Sequence, residues 1–243
     1  MKKRLDQMLV DKRLAENLSL AAAYIMEGKV QVKGIRVDKP GHQVRQTDEI
    51  TLDLPGLSYV SRGGLKLHGA LSTLGIDVTS KVAMDIGSST GGFTDCLLRH
   101  GAEKVFAVDV GSGLIDYRLR QDKRVVLMEG INFRYFEPGD ILAAIDIATI
   151  DVSFISLDLI LPNVFRCLKS RGHALALIKP QFELEPAEVG KGGIVRSAEK
   201  RTKAVSKIEE AAGKTGFHVI KVVPSEVKGT KGNQEFFLFL QKP

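Results

Sequence analysis

Four charged side chains and one glycine-rich turn carry the chemistry legible in this sequence. Asp151 and Lys179 each follow an apolar run that reads as a strand, residues 145–150 and 173–178. Glu235 opens another such run, residues 235–240, and Lys66 lies in Ser61-Arg62-Gly63-Gly64-Leu65-Lys66-Leu67, upstream of a strand at 82–84. In an open α/β sheet, ligands sit beyond the carboxyl ends of the strands. Asp109, Asp151 and Lys179 fall at such ends. Glu235 shares that edge if its strand runs antiparallel to its neighbours, and Lys66 can reach over it. Two amines and two carboxylates in one cleft need a task or a partner, because burying any of them alone is costly. They could orient a hydroxyl and stabilise the anion it becomes. The plainer alternative is an ion-pair network at strand ends.

The turn is Asp85-Ile86-Gly87-Ser88-Ser89-Thr90-Gly91-Gly92-Phe93-Thr94. A strand precedes it and a helix follows, stopped by Gly101, so the helix N-terminus faces whatever the turn holds. The next strand, 104–108, ends in Asp109, about 20 residues past the first glycine, where an acid can accept hydrogen bonds from a ribose diol. A dinucleotide fold needs G-x-G-x-x-G, and Ser89 replaces the middle glycine. A phosphate-binding loop needs Gly-Lys-Ser/Thr, which is absent. S-adenosylmethionine carries a ribose and no phosphate, so it fits the acid without needing the missing glycine. The cofactor contacts expected are Asp85, Gly87, Ser88, Ser89, Thr90, Gly91, Gly92, Phe93, Asp109 and Asp151. Glu129 and Asn132, in the turn after a strand at 124–128, are expected beside an adenine.

Alternating strands and helices past the turn imply a parallel sheet covered on both faces. A helix is expected over residues 61–74, another over 157–168, a long polar loop over 181–196 and a basic helix over 197–213. Strands at 217–223 and 235–240 close the fold. The expected class is α/β: a seven-stranded, mostly parallel Rossmann-like methyltransferase sheet with an antiparallel last strand, plus a small α+β N-terminal domain. The expected boundaries are 1–54, a linker at 55–60, and 61–243. In the first unit, Leu18, Ala21, Ala22, Ile25 and Met26 follow helical spacing, with Ser19 near the start and Gly28 as the stop. Val30 and Val32 alternate with polar residues, and Lys33-Gly34 turns the chain into a second strand.

The 243 residues carry a net charge of +6. The excess sits toward the two ends: 10 basic against 8 acidic groups in residues 1–59, and 11 against 5 in residues 190–243. A basic rim around a neutral centre fits a polyanionic partner. No apolar run reaches the roughly 18 residues of a membrane span, and the N-terminus has no secretory apolar core. Two cysteines without metal-ligand spacing fit buried free thiols in a reducing compartment, and a cytoplasmic location is expected. No metal is expected.

Two resemblances sharpen these readings. Residues 1–54 resemble the αL-type RNA-binding module of a small-subunit ribosomal protein, through Arg4-Leu5-Asp6, Ala22, Ile25, Gly28, Val30, Val32, Gly34, Lys39-Pro40 and Asp48. That module usually opens its second helix with Ser-Arg, where this chain has Ser19-Leu20. RNA phosphate contacts are therefore expected from Lys2, Lys3, Arg4, Lys12, Arg13, Lys29, Lys33 and Arg36, with Arg62 adding one from the larger unit. The alternative is a solvated basic face.

Ser61 to Lys66, Asp85 to Leu98, Asp151-Val-Ser-Phe-Ile-Ser156, Leu177-Ile-Lys-Pro-Gln-Phe182 and Gly190-Lys-Gly-Gly193 resemble the TlyA group of ribosomal RNA 2′-O-methyltransferases. Their catalytic domain is similar to the FtsJ type. The resemblance implies a catalytic tetrad of Lys66, Asp151, Lys179 and Glu235, methylation of cytidine riboses, and ribosomal RNA or ribosomal subunits as partner. Members have also been labelled haemolysins. A membrane-active haemolysin, an RNA base N-methyltransferase and a pure RNA-binding factor are the competing readings. Flanking carboxylates favour the ammonium form of Lys179, so it is expected to steer the hydroxyl as a cation.

Overall fold

The computed structural model describes residues 2–243 apart from 13, 16, 53–58, 142, 143 and 230, with Asp140 described by its backbone alone. Contacts divide the chain into two compact units, residues 1–58 and 59–243. The expected linker lies partly outside the described residues. Its last two residues are part of the larger unit instead: the Val60 N–H donates to Asp95 Oδ2 at 2.9 Å, and the Tyr59 ring lies against bare Gly64.

The smaller unit comprises β1 (Lys2–Arg4), α1 (Leu5–Asp11), α2 (Leu18–Met26), β2 (Val30–Val32), β3 (Ile35–Val37), β4 (Gln43–Arg45) and β5 (Ile50–Leu52). Leu5, Leu9, Ile25, Val30 and Val44 form its centre; of the stripe expected in α2, Ala21 and Ile25 are buried, whereas Leu18 and Met26 at its two ends are exposed. Helix α2 is capped by Asn17, whose side chain accepts from the Leu20 N–H at 2.9 Å; Ser19 is inside the helix. Strands β3, β2 and β5 form an antiparallel sheet, and the β2–β3 hairpin turns on Lys33 and Gly34, both at positive φ. Strands β1 and β4 make a separate two-stranded ribbon that the sequence reading missed.

The larger unit runs α3 (Arg62–Leu74), β6 (Val82–Ile86), α4 (Gly92–Arg99), β7 (Lys104–Val108), α5 (Tyr117–Arg120), β8 (Val125–Met128), β9 (Ile145–Ile150), α6 (Leu161–Cys167), β10 (Leu168–Ile178), α7 (Pro180–Glu183), α8 (Ala198–Thr215), β11 (His218–Pro224) and β12 (Phe236–Gln241). Its seven strands lie in the order β11-β12-β10-β9-β6-β7-β8. Strand β12 is antiparallel to both neighbours, and the pairs joining β10, β9, β6, β7 and β8 are parallel. One apolar cluster, including Ile150, Leu161, Val164 and Ile208, covers one face; a second, including Leu67, Leu97, Leu175 and Phe237, covers the other. Both cysteines are buried, and burial pushes the thiols up to about 12 for Cys96 and about 11 for Cys167.

Three expectations are corrected. The helix expected over 157–168 is a 3-10 turn at Leu157–Leu159 followed by α6, with Pro162 in the first turn where a missing N–H costs nothing. Strand β10 begins at Leu168, and its register against β9 shifts between Leu168 and His173, which hid the extra length in a polar stretch. The expected loop at 181–196 contains α7 and two 3-10 turns, Pro186–Glu188 and Lys191–Gly193. Among the described residues no helix is long and apolar enough to cross a membrane.

Candidate active site

Parallel pairing places the carboxyl ends of β6, β9 and β10 side by side, with Ile86 opposite Ile150 and Ile150 opposite Ala176. The glycine turn leaves β6 at this edge. Gly87 sits at φ +83°, and a Cβ there would stand 2.6 Å from the Asp151 carbonyl oxygen. The turn therefore lies directly against the chain leaving β9, which only glycine allows. Gly92 explains the upstream glycine pair: its own Cβ would meet Ser61 Oγ at 2.2 Å and the Gly64 nitrogen at 2.9 Å. The starts of α3 and α4 abut here because Gly92 carries no side chain at the contact.

A cleft of about 480 Å³ opens above this floor. It is lined by Gly87, Ser88, Ser89, Thr90, Gly92 and Phe93 of the turn and by Ser61, Arg62, Gly63 and Lys66 of α3 and its cap. Asp151, Ser153, Lys179 and Lys228 complete it. Two ion pairs stand at the cleft. Lys66 Nζ donates to Glu235 Oε2 at 2.7 Å, with side chains only 12 and 3% exposed. Near the start of α3 a lysine has no favourable interaction with the helix dipole, and Glu235 is the group that holds it. Glu235 reaches this edge because β12 runs antiparallel. Lys179 Nζ lies 2.6 Å from Asp151 Oδ1 and donates to Ser153 Oγ at 2.9 Å. Asp151 Oδ1 is buried and takes no directed hydrogen bond, so its contact with Lys179 is ionic. Phe182 places its ring centroid 5.9 Å from the same ammonium.

The residues present fit a sulfonium nucleoside. A carboxylate oxygen with unspent hydrogen-bonding capacity stands at the cleft, and the bare Gly87 leaves backbone rather than side chain at its wall. Asp109 is at the expected strand end, where Oδ2 accepts from the Ser89 N–H and Oδ1 from the Gly111 N–H, both at 2.7 Å. It shapes the turn and is not among the residues lining the cleft.

Several expected contacts have other roles. Asp85 is fully buried and accepts from Thr94 Oγ1 at 2.7 Å, tying β6 to α4 beneath the turn. It is not among the residues lining the cleft. Gly91 also lies outside the lining; it caps α4 at φ +95°, packed on Leu119. Glu129 accepts from the Gly113 N–H at 2.9 Å and pairs with Arg120 at 2.6 Å, and Asn132 caps a 3-10 turn through the Arg134 N–H. Neither lines the cleft. Ser61, Gly63, Ser153 and Lys228 do line it and were not among the expected site residues. Ser153 had a signal in its place two residues after Asp151.

Burial pushes the Asp85 carboxyl up to about 7; the nearby Asp151 charge adds to this and the Thr94 bond opposes it. Its folded value thus stands above the roughly 3.9 of an unfolded chain. The stability linked to its proton is full below about pH 4 and is lost as pH rises through about 7, at about 1.4 kcal/mol per pH unit in between. Asp85→Asn is expected to remove this dependence. Denaturant unfolding of parent and variant across that window checks it; a constant difference between them contradicts it.

In the smaller unit most of the expected RNA contacts have acidic or carbonyl partners within the unit. Lys3 pairs with Asp11 at 2.7 Å, Arg4 with Asp6 at 2.5 Å and Lys33 with Asp48 at 2.9 Å; Lys29 pairs with Glu27. Lys12 Nζ donates to the carbonyls of Gln46 and Asp48, both at 3.2 Å. Lys2 and Arg36 are exposed and carry no ion pair among the described residues. Arg13 lies outside those residues.

The family model for FtsJ-like methyltransferase matches residues 59–242, and the S4 domain model matches residues 3–50. The chain is 41% identical to Hemolysin A of Brachyspira hyodysenteriae over 240 residues, covering 96% of this chain and 97% of that one. It is 39% identical over 239 residues to the 16S/23S rRNA (cytidine-2'-O)-methyltransferase TlyA of Mycobacterium tuberculosis, covering 98% of this chain and 89% of that one. A solved Streptococcus thermophilus protein that carries a hemolysin name superimposes with a TM-score of 0.76 at 43% identity, covering 99% of this chain and 88% of that one. A matching model across the whole larger unit, relatives along nearly the full length and the paired charges at the glycine turn agree: this chain belongs to the FtsJ-like methyltransferase family.

Proposed function

We propose that this chain transfers the methyl group of S-adenosylmethionine to the ribose 2′-hydroxyl of cytidine in ribosomal RNA. The observation that carries this reading is the pair of buried amine–carboxylate contacts, Lys66–Glu235 and Lys179–Asp151, in the cleft formed by the glycine turn. The bound donor supplies an already activated methyl group. The remaining work is to place a poor nucleophile in line and lower its hold on its proton, which passes to solvent as the oxygen gains the methyl group. Lys179 Nζ serves as the cation that meets the ribose oxygen. Asp151 and Ser153 hold and aim the ammonium. Lys66 and Glu235 form the second, more enclosed pair of the tetrad.

The S4 unit is proposed to hold the RNA through phosphate contacts, led by Lys2 and Arg36, which carry no ion pair among the described residues. An enzyme working on ribosomal RNA belongs in the cytoplasm. Relatives carry haemolysin names, but nothing in this chain's site calls for a membrane.

Phe154 supports a nucleotide acceptor. It is 91% exposed at φ +62°, three residues after Asp151, with its ring centroid 5.0 Å from that of Phe182. An aromatic presented in this way suits an unstacked base. Phe154→Ala is expected to weaken RNA binding by about 1–3 kcal/mol, roughly 5- to 150-fold in Kd, with donor affinity unchanged. Titration with a labelled rRNA fragment measures this, and an unchanged Kd contradicts it. The overall reading is tested by incubating the protein with rRNA and labelled donor, then mapping the modified nucleotide by mass spectrometry. Methyl on a base nitrogen, or none on RNA, overturns it.

A further inference from the structure

The contacts that hold Lys179 at Asp151 and Ser153 join two segments that have both left the sheet. Past Asp151, whose N–H still donates to the Ile86 carbonyl at 2.9 Å, and past Ile178, no strand pairing holds them among the described residues. The segment after β9 also turns through Phe154 at φ +62°, a conformation unfavourable to a side chain with a Cβ. Something behind the site must fix both. Glu183 is placed to do so. It is the last residue of α7, four positions after Lys179, and is buried. Its Oε2 accepts from the Ser156 hydroxyl and its Oε1 from the Leu157 N–H at 3.1 Å. Lys207 of α8 donates to the Glu183 carbonyl oxygen at 2.8 Å and reaches Ser156 Oγ at 3.5 Å. The two segments are thus pinned twice, at the cleft by Lys179 and behind it by Glu183.

We propose that Glu183 is a positioning residue that fixes the Asp151–Leu157 segment to α7 and so sets where the Lys179 ammonium stands. A carboxylate here bears a cost, since burial pushes the Glu183 carboxyl above its ordinary range. Its two acceptor bonds and Lys207 oppose that cost. The tie needs shape more than charge. A glutamine can accept from the Leu157 N–H and donate to Ser156 Oγ, because a hydroxyl serves as either partner.

The proposal rests on ribose methylation, and the test separates the two. Parent, Glu183→Ala and Glu183→Gln are assayed on an rRNA fragment with labelled donor, and donor affinity and binding stoichiometry are taken by calorimetry to count folded protein. Expected is a loss in kcat of about 100-fold in Glu183→Ala, the cost of a displacement near 1 Å at a reacting centre. Donor Kd stays near the parent's, and Glu183→Gln restores most of the rate. The positioning role is overturned by an unchanged kcat in folded Glu183→Ala, by equal losses in both variants, or by a loss carried in donor Kd. Absence of 2′-O-methyl product from the parent overturns the functional reading instead.

Discussion

Lys179→Ala lowers the rate of methyl transfer by about 10²- to 10⁴-fold, the range seen when a charged or proton-handling group is removed from a developing anion. Donor affinity should stay within roughly threefold, so the loss falls on kcat. The reason lies in the surroundings. Lys179 Nζ is held by Asp151 at 2.6 Å and Ser153 at 2.9 Å, and none of the turn's contacts to its own strand pass through it. Lys179→Arg keeps the charge and changes its shape. A rate within about tenfold of the parent supports a cationic role, whereas a severe loss leaves proton abstraction by the amine open. Single-turnover kinetics with saturating donor is the measurement. Full activity in Lys179→Ala would remove the residue from the mechanism.

Glu235→Ala has the largest expected effect on stability. It strands the Lys66 ammonium at a place where water reaches little of it. Breaking one side of a buried pair costs about 3–5 kcal/mol, because the surviving charge loses its partner and stays desolvated. For a protein of this size that lowers Tm by roughly 6–20 °C. Replacing both partners, as in Lys66→Met with Glu235→Leu, should recover most of the loss while leaving the enzyme inactive. Thermal melts of the donor-free proteins decide this. A single variant melting with the parent would mean that solvent already screens the pair.

The fold was legible wherever a pattern is local. The apolar strands, the glycine stops of α3 and α4, and the order of elements around the turn follow from periodicity and chain breakers. Strands β1 and β4 were not. They are three residues long, polar on the surface, and exist because they pair across about forty residues. The extra length of β10 was hidden for a related reason, since Lys169, Ser170 and Arg171 look like a loop and form the irregular stretch between Leu168 and His173, the positions that pair with β9. In the site, Asp151, Lys179 and Glu235 could be placed from strand ends because an open sheet fixes which edge carries ligands. Partner choice could not be read in the same way. Asp85 turning inward to Thr94, Glu129 taken by Arg120, and Lys33 held by Asp48 all depend on distances that only packing sets.

The contrast between enclosed and exposed cations has a consequence for ionic strength. Counterions screen charges that water reaches, over about 8 Å in physiological salt. Lys2 and Arg36 on the S4 unit lie open to such ions, so added salt competes there with phosphate. Lys66 and Lys179 are each held against a carboxylate with little solvent between, and the same ions barely enter. Salt thus acts on how tightly RNA is gripped and leaves the methyl-transfer step largely untouched once the strand is in place.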